Sequence, residues 1–168
     1  MAMNINDYSV SDGVLDLKEF MDRALETLVG VYARAGVPLP ERRFWSLQQP
    51  AEDCEQAVVS LIQIYLGVPG DQANRPQQCQ TAPFSAVLEI AVTRSYPLGV
   101  NGKAVAASDI IQASGASAAD VWILGQSAAD FDAGTDGIPG LGVIATVSPR
   151  GPSGGMQTVV MQLTLAVM

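Results

Sequence analysis

The sequence predicts an α+β fold, a mostly antiparallel β-sheet of about four to five strands with two main helices packed on it. Three observations predict it. Residues 14–32 place apolar side chains at three- and four-residue steps, the period of an amphipathic helix. Residues 85–94 and 158–168 alternate apolar and polar side chains, as strands with one buried face do. Between those two strands lies an alanine-rich stretch, 104–129, long enough for a second helix. At 168 residues and 48% hydrophobic content, one domain and one core are expected.

Residues 1–12 are polar and read as a flexible arm ahead of a single domain spanning 13–168. In the first helix Val14, Leu17, Met21, Ala24, Leu25, Leu28, Val31 and Tyr32 form the apolar face. Asp12 is the expected N-cap and Gly36 the expected C′ residue, and Pro38 and Pro40 prevent continuation. Residues 42–47 form a short strand carrying Phe44 and Trp45. The β-branched run 57–66 is expected to be buried on both faces, as a central strand is, and Gly67-Val68-Pro69-Gly70 ends it. The segment 71–83, with Asn74, Pro76 and clustered glutamines, reads as an exposed loop.

Strand 85–94 puts Ala86, Leu88, Ile90 and Val92 on one side, and pairs antiparallel with the strand before it. Pro97 and Asn101-Gly102 then break the chain. Ser114, Gly115 and Ser117 interrupt the helical stretch 104–129, which is expected to bend or split there. A loop follows at 130–142, then a strand at 143–147, a turn at 149–155, and a closing strand at 158–168. That last strand puts Val159, Met161, Leu163, Leu165 and Val167 on one face, and Thr158, Gln162 and Thr164 on the other.

The chemistry is defined mainly by what is missing. Nine Lys plus Arg stand against seventeen Asp plus Glu, a net charge of -8, and only Arg42 and Arg43 are adjacent cations. Binding to nucleic-acid phosphates or an anionic membrane needs clustered cations, so both are disfavoured. With no histidine, the chain lacks the side chain that titrates near neutrality and the commonest metal ligand. Cys54 and Cys79 are expected to be free thiols in a reducing compartment, with a bridge possible only if the loop of Cys79 folds back. Cys54 lies between Asp53 and Glu55, carboxylates that disfavour a thiolate.

The first eleven residues lack a basic-then-apolar layout, and the uncharged stretch 151–168 alternates too strictly for a membrane span. Synthesis in the cytosol is therefore expected.

Three motif matches have bland readings. Gly151-Pro152-Ser153-Gly154-Gly155 fits G-x-S-x-G, but a strand follows it and no histidine base exists, so it reads as a hairpin turn. Gly140-Leu141-Gly142-Val143-Ile144-Ala145 fits G-x-G-x-x-A but opens a strand instead of a helix. Asp130, Asp132 and Asp136, with Gly134 and Gly137, lack calcium-loop spacing and a bidentate glutamate, so a solvated acidic turn is expected. Trp45 and Trp122 are expected in the core, and Arg42 and Arg43 in salt bridges or a partner contact. No catalytic, cofactor or metal residue is assigned, and a non-enzymatic chain that works through its surfaces is expected.

In order and spacing, one set of residues resembles the tail terminator proteins of long-tailed bacteriophages, particularly those infecting actinobacteria. The set is Trp45, Asp53-Cys54-x-Gln56, Gly67-x-Pro69-Gly70, Cys79, Pro97, Asp120-x-Trp122 and Gly154-Gly155 before a terminal amphipathic strand. The resemblance spans roughly residues 14–168, and the N-terminal arm and the Ser/Gly interruption at 114–117 depart from the pattern.

It implies a virion protein of the tail or neck, assembled in the host cytoplasm as a homo-hexameric ring on the head-proximal end of the tail tube. There it would stop tube polymerisation and dock the head's connector or stopper, while DNA passes through without specific binding. Loops 67–83 and 130–142 become candidates for ring and tube contacts. Candidate interface residues are Arg42, Arg43, Asp71, Arg75, Phe131 and Asp132, with Arg75 and Phe131 chosen as side-chain types that dominate interfaces. The alternatives are another neck component (stopper or adaptor), a tail tube subunit, or a small ligand-binding domain.

Overall fold

The computed structural model describes residues 16–70, 83–99, 103–135 and 143–167. Helix α1, Leu17–Ala35, buries Phe20, Met21, Ala24, Leu28, Val31 and Tyr32 along one stripe. Its cap is Asp16, whose Oδ1 accepts a hydrogen bond from the Glu19 backbone N–H at 3.1 Å. The expected cap, Asp12, lies outside the described residues. Gly36 ends the helix as expected. Its φ of 66° is in the left-handed region, and its N–H donates back to the carbonyl of Ala33. Replacing Asp16 with alanine leaves the first turn uncapped, so thermal or urea unfolding should show a loss of about 1 kcal/mol.

Five strands form one sheet: β1, Arg43–Ser46; β2, Gln56–Leu66; β3, Phe84–Ser95; β4, Val143–Ser153; and β5, Met156–Val167. Their order is β1-β2-β3-β5-β4, with β1 parallel to β2 and every other pair antiparallel. A parallel connection normally needs a long crossover. Residues 47–55 suffice here because β1 is so short that the chain need return only about 13 Å at 3.3 Å per residue.

The alternating residues anticipated in β3 and β5 all land on one face. Ala86, Leu88, Ile90, Val92, Val159, Met161, Leu163, Leu165 and Val167 pack with the α1 stripe in a single core. The mostly antiparallel sheet covered by helices is thus the architecture that the two periodicities predicted.

Three elements differ from expectation. Strand β2 is not central; β3 is. In β2 only Gln56–Ser60 is buried on both faces, with α1 on one side and residues 47–55 on the other. Beyond that, Ile62, Ile64 and Leu66 are 49%, 39% and 46% exposed.

The second helical stretch divides at Ser127, not at 114–117. Helix α2, Ala107–Gln126, runs unbroken through Ser114, Gly115 and Ser117, and helix α3 occupies Ala128–Gly134. The N–H and Oγ of Ser127 both turn back to the Leu124 carbonyl, at 3.1 and 2.8 Å, a local side-chain bond that competes with helix continuation. Part of the loop expected from residue 130 is therefore helix.

Strand β4 runs past Pro149 and Pro152 to Ser153. It is an edge strand, where a missing N–H can face away from the ladder. The turn shrinks to Gly154 and Gly155, at φ 58° and 80°, a two-residue hairpin that glycine accommodates without strain.

Candidate interaction surface

Two polar clusters hold the layers together, one on each face of the sheet. On the helix side, Arg94 ends the apolar row of β3 and grips Asp120 of α2. Its Nε donates to Oδ2 at 2.6 Å and its Nη2 to Oδ1 at 2.8 Å. Tyr32 of α1 donates its hydroxyl to the same Oδ1 at 3.0 Å, and Arg94 Nη2 also reaches the Pro38 carbonyl at 3.0 Å. The side chain of Asp120 is 1% exposed and that of Arg94 18%.

This bidentate charge pair therefore ties α1, α2 and β3 in a site with little water, where such bonds are strong. Hydrogen bonding to Asp120 raises the Arg94 pKa. Burial first, then the Asp120 charge, raises the Tyr32 phenol well above its ordinary value.

On the helix-free face, residues 47–55 lie across the sheet. Gln49 Nε2 donates to Glu89 Oε1 at 2.6 Å, and Gln56 Nε2 to the Ala51 carbonyl at 2.7 Å. Arg150 of β4 bridges Glu52 and Glu89 at 3.1 and 2.9 Å, and the Thr158 hydroxyl donates to Glu52 at 2.8 Å. The buried Glu89 is thereby supplied with donors from β4 and from the 47–55 segment. Nearby, Glu55 accepts the Ser95 backbone N–H at 2.9 Å, which lowers its pKa. Both clusters hold the fold together, and every side chain named in them has its partners inside the chain.

The candidate interface residues do not form one patch. Arg42 is exposed at the entrance to β1, stacked over the Phe44 ring at 5.3 Å, with Nη1 2.7 Å from the Cys54 sulfur and 3.9 Å from Asp53. The charged group that meets this free thiol is a guanidinium, while Glu55 turns away to Ser95. Arg43 is exposed at the start of β1, its Nε 3.5 Å from the Glu41 carbonyl. Asp71 and Arg75 lie outside the described residues, as do Cys79 and most of both candidate loops.

Phe131 requires correction. It is 0% exposed, held in the core by α3, and is not an interface side chain. Asp132, on the same short helix, is half-buried, and its Oδ1 has no hydrogen-bond partner among the described residues. Asp130 pairs with Arg34 of α1 at 2.5 Å.

Trp122 also departs from expectation. It is 70% exposed on α2, beside a shallow depression of about 240 Å³ rimmed by Arg34, Gln126 and Asp130. Trp45 is half-buried, and its indole N–H donates to Asp22 at 2.7 Å. Ile111, in the second turn of α2, is likewise 70% exposed, and nearly all of residues 107–115 stand clear of the core. An apolar helix that leaves two such side chains in water offers itself to a partner. Sequence reasoning missed Ile111 and Trp122 as surface residues because the polar residues of α2 do not gather on one side, and Ser117 and Asp120 are among the buried ones. Its period could not say which face the sheet would take.

Among the described residues no group of three or more acidic or thiol side chains could hold a metal ion, and no helix is long and apolar enough to cross a membrane. Ser153, the serine of G-x-S-x-G, ends β4 at a hairpin. No known protein-family model matches the chain, and no curated protein matches it.

Proposed function

We propose that this chain is a structural virion protein of the tail-terminator kind. Copies form a ring on the head-proximal end of a phage tail tube, stop its growth and present a second face to the head's connector. The observation that carries this reading is how the side chains are distributed. The buried carboxylates Asp120 and Glu89 are engaged in internal pairs with the partly exposed Arg94 and Arg150, and these pairs fix the fold. Large apolar side chains such as Ile111, Trp122 and Leu98 are turned outward instead. That pattern suits a chain whose exposed surface is completed by neighbours.

The residues carrying the resemblance also sit at structural junctions. Asp53-Cys54-x-Gln56 leads into β2, Asp120-x-Trp122 joins the buried pair to the outer face of α2, and Gly154-Gly155 makes the hairpin into β5.

The mechanism is surface complementarity. A ring bound to the last layer of tube subunits offers an upper face to which another layer cannot add. When added to polymerising tail tube protein, the chain should shorten the tubes in proportion to its amount and appear at one end only under the electron microscope. Unchanged tube lengths and bare ends would contradict the reading, and a twelve-fold ring would point to another neck component.

A further inference from the structure

Helix α2 carries a seam on its outer side that reads the same in both directions. Ser108, Ile111, Gly115, Ala118, Trp122 and Gly125 follow one another at steps of three, four, three, four and three residues, and all are exposed. Such steps trace the narrow stripe along which one helix packs on another. In size the order is small, large, small, small, large, small. The two large members, Ile111 and Trp122, are each 70% exposed. The buried residues of α2, Ser117, Asp120, Ile123 and Leu124, lie away from the seam.

The glycines of the seam are not explained by the chain's own packing. Glycine is a poor helix former, and inside a helix it serves where another backbone or side chain approaches closely. At Gly115 and Gly125 an added methyl group would meet no described atom within 4 Å outside its own stretch of helix. Neither glycine has the positive φ that would require one. The body that approaches them therefore lies outside the described chain.

Charge selects that body. At a net charge of -8, two copies repel one another wherever their carboxylates face. The charged residues of α2 are Asp109 and Asp120 alone. Asp120 is buried against Arg94, and at 100° per residue Asp109 falls on the far side of the helix from the seam. Two acidic copies can meet at this face without opposing like charges, whereas a cationic partner would be drawn to faces that carry carboxylates.

Size completes the fit. When two α2 helices run antiparallel about a two-fold axis between residues 116 and 117, Gly115 stands level with Ala118 of the other copy, Ile111 with Trp122, and Ser108 with Gly125. Packed helices cross at an angle, so they are closest at the crossing and diverge on either side. The small pair falls at the crossing, and Ile111 and Trp122 fill the widening gap. The incoming Ile111 arrives beside the depression of about 240 Å³ next to Trp122.

We infer that the free chain forms a two-fold dimer, α2 packing antiparallel on α2 of a second copy through this seam. The contact uses one surface twice and closes at two copies. It is additional to the head-to-tail contact that a ring needs, and it does not rest on the ring reading. A contact confined to one face of a 20-residue helix is small, so the dimer should be weak and come apart on dilution.

Sedimentation and cross-linking of the full chain test it. The unmodified chain should sediment as a dimer when concentrated and as a monomer when dilute. With Cys54 and Cys79 replaced by serine, chains carrying Ser108→Cys should be joined to chains carrying Gly125→Cys by a short bismaleimide, with a covalent dimer only from the mixture. Two copies of either position lie about 25 Å apart along the helices at 1.5 Å per residue, beyond the reach of the linker. Gly115→Glu should abolish the dimer and leave the unfolding temperature unchanged or higher, because its side chain enters open space.

A chain that stays monomeric up to about 1 mM would overturn the inference. If Gly115→Glu then also failed to cap tail tubes, the seam would belong to the tube instead. A dimer that survives Gly115→Glu would overturn it too, as would a covalent dimer from Ser108→Cys alone, which reports parallel helices. Ring formation with tail tube protein is measured separately, so loss of the dimer leaves the ring reading standing.

Discussion

Replacing Asp120 with alanine should destabilise the protein by about 1.5–3 kcal/mol, because the partly buried Arg94 guanidinium loses its counter-charge and its charge-assisted hydrogen bonds. The geometry makes the loss large. Two parallel N–H···O bonds disappear, and the Tyr32 hydroxyl loses its acceptor in the same step. Denaturant unfolding measures it directly, and a cost below about 1 kcal/mol would mean that the pair is not desolvated.

The same cluster sets a pH dependence. The Tyr32 phenol is raised above its ordinary value of 10.0, so the folded chain holds this proton more tightly than the unfolded chain does. Its contribution is therefore complete below pH 10.0 and is lost as pH climbs above that value, where the unfolded phenol ionises first. Tyr32→Phe should cost about 1 kcal/mol near neutrality, and should flatten the alkaline fall in stability relative to the unmodified chain.

The second large effect is at Phe131. Truncation to alanine should cost about 3–5 kcal/mol, the range for deleting a buried aromatic ring. Phe131 is fully buried and ties α3 into the core, so its truncation leaves a cavity there. The loss should appear in unfolding of the isolated chain. An interface residue would instead leave the isolated chain intact and weaken assembly alone.

These two residues mark what the sequence could and could not convey. The regular periods were readable: α1 by its apolar stripe, and the apolar inward residues of β3 and β5 by their alternation, although Arg94, which ends the same row of β3, was not foreseen. Both periods report an apolar face, which is a local property; they did not show that the other face of β3 and β5 is buried too, at Ser85, Glu89, Thr93, Thr158, Val160 and Ala166. Strand β2 carries the same β-branched character along its length, yet half of it is open. Its burial is decided by how far β1 extends and by where residues 47–55 lie, neither of which its own residues encode.

Helix α2 mixes polar and apolar residues on every side, burying Ser117 and Asp120 and exposing Ile111, so its period could not separate the buried Leu124 from the exposed Trp122. Phe131 was assigned to an interface by residue type alone, because the glycine and aspartate around it imitate a loop. A seven-residue helix nevertheless carries it inward.

The polar clusters were still less legible. Arg94 and Asp120 are 26 positions apart, and Glu52 and Thr158 are 106 apart. Only the fold brings them together. One signal did exist, since Asp120 is a charge set in an otherwise apolar half of a helix. Such a charge is tolerated only with a partner.

The proposed self-assembly into a closed ring is checked by the mass of the chain when mixed with tail tube protein. One discrete species at six times the 17.6 kDa chain, bound to tube ends, is expected. A chain that stays monomeric at every concentration, with and without tube protein, would contradict it.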